Sequence, residues 1–540
     1  MRYKWILKGI VCVLIILMFV MPASSIFITS HKIFFDDEKP ENSSDIITNK
    51  DAKWVIMFYQ CGDNSISSAI GVCLNLISKV GATDDVKIAV LIDKKPLNDT
   101  KLYYYEGKNP VEQEWPLESD LSDPDTLVMF AEKVMNDYPA AHYCLTITAN
   151  KGSGWQGVCY DEHGDELMIT MPELFEALDD ITENGCFKLD VFLLQSCLGG
   201  NFELRYQIHQ FCQYFVGYAD CGLVGDIPFD RILDAVVADP SMNAERFATT
   251  IVELFTPQQF QQIYQALGAT DATKLDALAN SIDDLAGLLL HNLEGYRDKI
   301  ESALDVTRKY GLHFNIDYFV DLKNFLEYVT IEDSEFLDTK NMVLACIEEA
   351  VVAKITLEGH PSCGFNLYFP DEKNDYNDAL RYDHALPSPY EKTLFSENTQ
   401  WDEFLKEYLG LSNNMPPSAP NIDGPNRGEI NDVYDYVVSA EDPQSDEVSF
   451  YIDWGDGTYE MDGPVTSTEK ISMDHTWESD GEYVIKVKAI DQYGAESDWA
   501  SLVVSMPKNK ILIINPLIIQ FLENHLHLFP ILRQILLCLG

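Results

Sequence analysis

One cysteine stands where an apolar segment of this 540-residue chain gives way to glycines. The segment 188–194 has the composition of a buried parallel strand, and the polar pair Gln195-Ser196 separates it from Cys197. Two glycines follow, and then the amphipathic start of a helix. A thiol at the end of a parallel strand and at the N-terminus of the next helix is favoured as thiolate. The pattern therefore predicts a nucleophilic cysteine at position 197.

A second strand end lies upstream and would have to supply the base. The apolar segment 143–149 is followed by Asn150, Lys151 and Gly152, and Lys151 precedes Cys197 by 46 residues. Nucleophile and base of cysteine peptidases occur at about this separation, but the base is then a histidine. A lysine has a pKa of roughly 10.4, which would have to fall by several units for general-base catalysis near neutral pH. The expected base is therefore missing at this position.

Another histidine could replace it. His163 lies in the loop that follows this strand end and could reach back towards the thiol. His142 precedes the strand 143–149, which spans roughly 23 Å, and so belongs at the opposite end of the sheet. His163 is therefore the candidate for an alternative base, and a solvent-exposed loop histidine without a catalytic role is the other interpretation. The remaining histidines considered, on the helix after the thiol or in loops, are His209, His360 and His384.

Apolar strands and amphipathic helices alternate over the first half of the chain. The predicted strands cover 54–59, 86–93, 101–106, 143–149, 188–197 and 214–218. The predicted helices cover 127–135, a segment that begins at the capping box Thr170–Glu173, and a segment from the thiol to about Gln213. This alternation predicts an α/β fold with a mainly parallel sheet flanked by helices. Further along, we expect helices over 241–358 that pack on this core, a strand over 364–370 and a closing helix from Trp401.

The two ends of the chain differ from the rest in composition. Residues 1–25 have a basic start, an apolar centre and a small-residue exit, which predicts a secretory signal peptide; an uncleaved N-terminal anchor is the alternative. Residues 26–50 are polar and acidic and indicate a spacer or pro-segment. Residues 507–540 are apolar but interrupted by prolines and charges, which favours surface-lying helices or a sorting tail over a transmembrane span.

Charge and cysteine usage exclude some classes of partner. The formal net charge of −49 argues against nucleic acid or an anionic membrane surface as the main partner. It suits a salty medium, association with cations or basic substrates. The 12 cysteines are scattered, with no CxxC pair and no Cys/His cluster, so no structural metal site is predicted.

The segments Asn150–Trp155, Glu173-Leu174 and Asp190–Glu203 together resemble the clostripain family of cysteine peptidases. The resemblance covers about residues 51–410 and implies a caspase-like fold that hydrolyses peptides after a basic residue through a thioester. Supporting matches lie at Trp54–Asn64, Asp321-Leu322, Gly364–Pro370 and Trp401–Leu405.

By this resemblance Cys197 is the nucleophile, and Lys151 occupies the position of the family's catalytic histidine. Backbone N–H groups near Gly152 and Cys197 would form the oxyanion hole. Gln195 stands where the family usually has an aspartate that recognises arginine or lysine. Specificity is therefore altered together with the base.

Three further aspartates follow from the same comparison. Asp220 and Asp226 fall in the stretch where the family has its specificity loop, and they could supply an acidic substrate-binding pocket. Asp63 resembles a family position near the site, with capping of the next helix as the alternative.

Residues 411–420 are a proline-rich linker, and residues 421–506 alternate with period two between turns, which predicts an immunoglobulin-like β-sandwich. Asp453–Gly457, His475–Trp477 and Gly481–Tyr483 resemble a PKD domain. The Asp453/Asp456 turn is typically structural in such sandwiches, with a Ca²⁺ contact as the alternative; the sequence requires no cofactor, and Ca²⁺ is the one that could bind. The segment after this sandwich resembles the tails of secreted archaeal proteins.

These observations predict a secreted or cell-surface clostripain-like homologue with weak or no proteolysis, because Lys151 replaces the histidine. One alternative is an active endopeptidase that cleaves after arginine or lysine, with Lys151 or His163 as an unusual base. Another is a non-catalytic surface protein for binding or adhesion. The expected partner is a peptide or protein, with membrane association through the C-terminal tail.

Overall fold

The computed structural model describes residues 52–149, 154–164, 168–312, 316–376 and 390–506. All of them belong to one unit that spans residues 51–540. The predicted signal peptide, spacer and C-terminal tail lie outside the described residues. Among the residues described, no helix is both long and apolar enough to cross a membrane.

The described strands of residues 52–376 are β1 (Ala52–Gly62), β2 (Val86–Lys94), β3 (Lys101–Glu106), β4 (Asn109–Gln113), β5 (Ala140–Thr148), β6 (Gly157–Val158), β7 (Ile169–Thr170), β8 (Leu189–Gln195), β9 (Cys212–Tyr218), β10 (Gln259–Phe260), β11 (Ile263–Tyr264), β12 (Ala266–Asp271), β13 (Lys309–Tyr310), β14 (Phe319–Val320), β15 (Val351–Thr356) and β16 (Leu367–Tyr368). The described helices are α1 (Ser67–Val80), α2 (Pro124–Asp137), α3 (Met171–Ile181), α4 (Phe202–Ile208), α5 (Phe229–Ala238), α6 (Ala244–Leu254), α7 (Leu275–His291), α8 (Leu293–Leu304), α9 (Leu322–Tyr328), α10 (Ser334–Ala350), α11 (Leu394–Asn398) and α12 (Trp401–Leu409).

The main sheet has the strand order β15-β12-β9-β8-β5-β1-β2-β3-β4. The five central strands from β9 to β2 are parallel, and the outer strands pair antiparallel. Strands buried on both faces need continuous apolar runs, which is what β1, β2 and β8 supply. The carboxyl ends of all five parallel strands therefore meet at one edge, and this edge carries the candidate site.

Helices cover both faces of the sheet. On one face α2 and α3 pack through residues such as Phe130 and Leu178. On the other face α1, α5 and α6 pack through residues such as Ile70 and Phe247. A third apolar cluster joins helices α7 to α10 and α12 to the region around Phe202 and Tyr368. The predicted α/β class with a caspase-like sheet is confirmed.

Two local predictions are wrong. The helix after the thiol does not extend to Gln213, because α4 ends at Ile208 and β9 already begins at Cys212. The region 241–358 is not purely helical, because β12 and β15 extend the main sheet there. The sequence of β12 does not read as a strand because Gly268 lies where the backbone of Gly364 comes too close for a side chain. A Cβ on Gly268 would lie 2.2 Å from the carbonyl oxygen of Gly364.

The C-terminal part is all-β, as predicted. Its strands are β17 (Asn421–Asp423), β18 (Tyr434–Ser439), β19 (Val448–Asp453), β20 (Tyr459–Val465), β21 (Ile471–His475), β22 (Gly481–Asp491) and β23 (Ala500–Met506). They form two sheets, β17-β18-β21 and β20-β19-β22-β23, around a core that includes Trp454 and Trp477.

Candidate active site

Cys197 lies in the tight turn that directly follows β8. Its thiol is half-buried, and Sγ lies 3.6 Å from the carbonyl oxygen of Gly222. Leu198 adopts the left-handed region with φ of 55°, and its N–H donates to the carbonyl oxygen of Asp220 at 3.0 Å. The N–H of Gly200 donates to the carbonyl oxygen of Tyr218 at 2.6 Å. The turn is therefore fixed to the end of β9, and the thiol stands at a strand end as predicted.

The helix expected at the thiol begins later. Helix α4 starts five residues after Cys197 and is only seven residues long. Its N-cap is Asn201, whose Oδ1 accepts the N–H of Leu204 at 3.1 Å. The expectation that a helix N-terminus begins at the thiol is therefore wrong, because the turn of residues 196–200 intervenes.

The side chain of Arg205 supports this turn, and the sequence analysis did not predict that role. Its side chain is fully buried and donates to the carbonyl oxygens of Gly200 at 3.1 Å and Gly364 at 3.0 Å, and to Oγ1 of Thr270 at 3.0 Å. Burial lowers the pKa of the guanidinium to about 9. The sequence of the helix, with Glu203 and Gln207 beside Arg205, gave no signal for this position, and the buried contacts of Arg205 indicate a positioning role.

Glu203 is a second buried charged residue behind the thiol. One carboxylate oxygen accepts the N–H of Tyr368 at 3.0 Å and the hydroxyl of Tyr390 at 2.8 Å. The other accepts Nδ2 of Asn201 at 2.5 Å. Burial raises the pKa of Glu203 to about 7, although these donors lower it. Both of its oxygens have donors.

Gln195 is engaged in a buried chain of hydrogen bonds across three parallel strands. Nε2 of Gln60 donates to Oγ1 of Thr148 at 2.9 Å, and Thr148 donates to Oε1 of Gln195 at 3.0 Å. Nε2 of Gln195 lies 3.4 Å from the carbonyl oxygen of Leu223. The side chain is 3% exposed. The substrate-binding role of Gln195 stays a prediction. Its hydrogen bonds give the side chain a structural role in joining the ends of the parallel strands.

Asp226 lies in the loop after β9, which also contains Gly222 and Leu223. Its carboxylate accepts the N–H of Leu223 at 2.8 Å, Nε2 of Gln265 at 2.6 Å and the hydroxyl of Tyr218. Burial raises its pKa, and a hydrogen bond from Gln195 is among the contacts that lower it. Asp226 and Gln195 are thus brought together beside the thiol.

Asp220 has a different environment. Its carboxylate accepts three backbone N–H groups, those of Cys221 at 2.9 Å, Gly311 at 3.2 Å and Tyr264 at 3.3 Å. The residue is 4% exposed, and burial raises its pKa. These contacts stabilise the loop after β9, and the substrate-binding role of Asp220 stays a prediction.

Cys221 is a neighbour of Cys197 that sequence reasoning missed. The pKa of the Cys221 thiol is raised well above its ordinary value. The largest cause is a hydrogen bond with the Cys197 thiol, and the second is burial. Both cysteines are free in the structure. No spacing in the sequence indicates the pair, because the two residues belong to different strand ends.

His163 is paired with Asp63. Nδ1 of His163 lies 2.5 Å from Oδ2 of Asp63, and the imidazole is 39% exposed. This hydrogen bond raises the pKa of His163. The alternative that Asp63 caps α1 is wrong, since the N-cap position is Ile66 and has no side-chain cap.

The other described histidines have structural partners. Nδ1 of His142 lies 2.8 Å from Oδ1 of Asp190, at the starts of β5 and β8, so it is at the predicted opposite end of the sheet. Nε2 of His209 lies 3.1 Å from Asp276. The ring of His360 stacks on Tyr264. His384 lies outside the described residues.

Lys151 and Gly152 also lie outside the described residues. Strand β5, which precedes them, ends at Thr148 between β8 and β1. The chain is described again from Gly154, and Trp155 is buried against Tyr368 and Tyr390. The roles of Lys151 and Gly152 stay predictions.

Three groups of carboxylates in the described part of the chain are arranged so that they could hold a metal ion. They are Asp63, Asp93 and Asp161; Asp317, Asp371 and Asp375; and Asp442, Asp446 and Asp491. The turn for which Ca²⁺ was expected is not among them. Asp453 accepts the N–H of Gly455 at 2.8 Å, and Asp456 binds Nε2 of His475 at 2.8 Å. Ca²⁺ contact at this turn stays a prediction.

The sheet order and the thiol at the end of β8 define a caspase-like cysteine peptidase fold. A model of the clostripain family matches residues 58–408, and the chain therefore belongs to the clostripain family. Among proteins of curated function, none matches the chain.

Several solved structures are similar. An inactive zymogen C11 protease from Parabacteroides distasonis is 18% identical, with 59% of this chain and 93% of that chain covered and a TM-score of 0.47. A secreted C11 cysteine protease from Bacteroides thetaiotaomicron, in complex with an irreversible peptide inhibitor, is 18% identical over 65% of this chain and 100% of that chain, with a TM-score of 0.47. The PKD domain of an M14-like peptidase from a Thermoplasmatales archaeon is 44% identical over 18% of this chain and 99% of that chain, with a TM-score of 0.17.

Proposed function

We propose that this clostripain-family protein is secreted or cell-surface bound and binds peptides at the Cys197 edge of its sheet, with weak or no cleavage. The observation that carries the proposal is the lysine at position 151, where the family has its catalytic histidine. The thiol turn itself is retained and buttressed by Arg205.

The chemistry of lysine explains why cleavage would be weak or absent. An ammonium group with a pKa of roughly 10.4 stabilises a thiolate but holds its proton near neutral pH. It therefore serves poorly both as the base that activates the thiol and as the acid that protonates the leaving amine. Attack by Cys197 would then lack the proton shuttle on which acylation depends.

Altered specificity supports the same proposal. A basic side chain of a peptide would meet Gln195 in place of the family's aspartate, and the amide of Gln195 already bonds to Thr148. Asp226 places a further carboxyl in the neighbouring loop, where it accepts the N–H of Leu223. We therefore expect recognition of arginine or lysine to be weaker than in a family member with that aspartate, but not abolished.

One observation favours a second candidate, an active endopeptidase with His163 as base. The carboxylate of Asp63 holds Nδ1 of His163 at 2.5 Å, the arrangement by which a carboxylate orients an imidazole base. In this candidate the chain would cleave after arginine or lysine, and Lys151 would only stabilise the thiolate.

Location and attachment are part of the proposal. The composition of residues 1–25 supports secretion, and the apolar segment 507–540 supports attachment to a membrane surface. The β-sandwich between them supports a role in placing the peptidase-like part on a surface, as a PKD-like module would.

The experiment combines binding with turnover on the full chain. A fluorescent peptide ending in arginine or lysine is titrated with wild type, Cys197→Ala and Lys151→His, and release from a matched fluorogenic peptide is followed. We expect binding by all three proteins and Cys197-dependent release only in Lys151→His. Release by the wild type that disappears in His163→Ala would instead establish the second candidate.

A further inference from the structure

A second thiol, that of Cys221, lies beside the candidate nucleophile at the carboxyl ends of β8 and β9. These two strands are parallel neighbours and pair as far as Leu194 and Gly217. Beyond this pair the two segments stay in contact, because the N–H of Leu198 donates to the carbonyl oxygen of Asp220 at 3.0 Å. Each thiol therefore follows the end of its own strand by a few residues, and the two lie side by side.

The sulfur of Cys197 faces the segment that carries Cys221. Its Sγ lies 3.6 Å from the carbonyl oxygen of Gly222, the next residue along that segment. The two thiols are also hydrogen-bonded to each other. Neighbouring strands lie roughly 4.8 Å apart, and the Cα atoms of a disulfide lie about 4.4–6.8 Å apart. The spacing of two neighbouring strand ends therefore falls within the range that a disulfide bridges.

The backbone holds the two sulfurs in this arrangement. The N–H of Cys221 donates to Oδ1 of Asp220 at 2.9 Å, and the same oxygen accepts the N–H of Gly311 at 3.2 Å. On the other side the thiol turn packs directly on β9, since a Cβ on Gly217 would lie 2.7 Å from the carbonyl oxygen of Gly199. A bond between the sulfurs therefore costs little further conformational entropy in the folded chain.

The two thiols differ in exposure. Cys197 is partly exposed, whereas Cys221 is 1% exposed. A reagent in solution therefore reaches the first sulfur and not the second. The hydrogen bond with Cys197, and then burial, raise the pKa of Cys221, so that its thiol stays protonated and is itself inert to oxidants. An accessible thiol beside a second one that can react with its oxidised form is the arrangement of redox-sensitive cysteines.

Another pair of neighbouring thiols shows what distinguishes the first. Cys61 and Cys159 are hydrogen-bonded as well, and this contact is the largest cause that raises the pKa of Cys61. Both residues are 0% exposed. Neither sulfur is open to solvent, so this pair has no accessible member at which oxidation could begin. It is an internal reference for the effect of exposure.

We propose that Cys197 and Cys221 form a reversible disulfide that inactivates the peptide-binding edge under oxidising conditions. The bond removes the sulfur that a bound peptide would meet, and it protects Cys197 from irreversible oxidation to the sulfinic acid. This regulatory meaning rests on the proposed peptide site, whereas the bond itself can be measured without any peptide.

The oxidant that we infer is hydrogen peroxide. The sulfur of Cys197 attacks one peroxide oxygen, so that an S–O bond forms as the O–O bond breaks, and a sulfenic acid and one water result. The sulfur of Cys221 then attacks the sulfur of Cys197. An S–S bond forms as the S–O bond breaks, and the hydroxyl leaves with the proton of Cys221 as a second water. A dithiol reductant reverses the bond by exchange and is itself oxidised.

The test maps the bond in the full chain. Reduced protein is treated with hydrogen peroxide, alkylated, digested without reductant and analysed by mass spectrometry. We expect a linked pair of peptides that contains Cys197 and Cys221 and lacks two hydrogen atoms, and we expect dithiothreitol to restore both thiols. A Cys197 that stays reduced, or that becomes a sulfinic acid without linkage, would overturn the proposal. Linkage of Cys61 to Cys159 alone would overturn it as well.

Variants separate the role of Cys221 from a general effect of oxidation. Cys221→Ala, with Cys221→Ser as the second variant, leaves the sulfenic acid of Cys197 without a reaction partner. Peroxide should then convert at least about ten times more of Cys197 to forms that dithiothreitol does not restore. The matched control is Cys186→Ser at an exposed cysteine, which should form the bond to the wild-type extent. Equal recovery of Cys197 in wild type and Cys221→Ala contradicts the proposal.

Peptide binding is measured last, with the fluorescent peptide used for the proposed function. Oxidised wild type should bind it at least about tenfold more weakly than reduced wild type, a difference of about 1.4 kcal/mol. Oxidised wild type that carries the mapped bond and binds as tightly as the reduced chain would show that the bond is not a switch. Absence of binding by the reduced chain would instead overturn the proposed function and the regulatory meaning, while the bond is decided by the mass spectra alone.

Discussion

The two sides of one sheet edge treat buried charge in opposite ways. On the thiol side, behind β8 and β9, Glu203 has donors for both oxygens and Arg205 is surrounded by carbonyl oxygens. On the carboxylate side, beyond β1 and β2, Asp63 and Asp93 each keep an oxygen without a donor in the described chain. The buried charges of the first side are fully hydrogen-bonded, whereas the second side keeps acceptors without a donor in the described chain. The difference shows that two regions at one sheet edge satisfy their buried carboxylates to different extents.

The first prediction concerns the pH dependence of stability that Glu203 causes on the thiol side. Burial raises the pKa of Glu203 from 4.5 to about 7, so the folded state binds this proton more tightly than the unfolded state does. Stability from this group is complete below about pH 4.5 and is lost as the pH rises through 7, by about 3 kcal/mol.

Urea unfolding of wild type and Glu203→Gln between pH 4.5 and 8 measures this loss. The difference between the two proteins should shrink or reverse as the pH rises, since only the wild type carries the titrating carboxyl. A difference that does not vary with pH would show that Glu203 is ionised and fully compensated throughout this range.

The second prediction breaks the thiol turn by packing. A Cβ on Gly200 would lie 2.6 Å from the carbonyl oxygen of Tyr218, so Gly200→Ala must push the turn off β9. We expect a loss of about 2–3 kcal/mol in unfolding free energy. The matched control is Gly295→Ala in α8, where no atom lies within 4 Å of the added carbon. That variant should be neutral or stabilised by up to about 1 kcal/mol, since alanine favours helix over glycine.

The third prediction concerns Gln195, which lies between the two sides. Gln195→Asp restores the residue expected in the family but places a second carboxylate beside Asp226 and removes the donor to Leu223. We expect a loss of about 1–2 kcal/mol in unfolding free energy at pH 8. Gln195→Asn shortens the side chain equally without adding charge. Equal losses in the two variants would mean that length, and not charge, governs this position.

The sequence predicted the thiol side far better than the carboxylate side. Cys197 and its strand form one contiguous pattern, and the strand ends at 143–149 and 188–195 followed from apolar runs. The helix after the thiol was predicted to be too long because the end of α4 depends on the packing of β9. Strand β12 was not predicted because its close approach to Gly364 requires small residues. Local periodicity carries no information on either contact.

The carboxylate side escaped prediction for a different reason. Asp63, Asp93 and Asp161 come from three segments, and apart from the family position that Asp63 resembles, nothing in a chain with 87 acidic residues singles them out as a group. Only parallel pairing of β1 with β2 brings the first two together. Arg205 and Cys221 were missed in the same way, since each derives its role from neighbours distant in sequence.

The most direct measurement is the rate of peptide release by the unmodified chain. Wild type and Cys197→Ala are compared at equal concentration with fluorogenic peptides that end in arginine or lysine, in saturating Ca²⁺. The loss of the histidine at position 151 predicts that the two rates are equal within error or differ only slightly. A Cys197-dependent rate of the order of a typical enzyme, about 1 s⁻¹ or more, would contradict the proposed loss of catalysis.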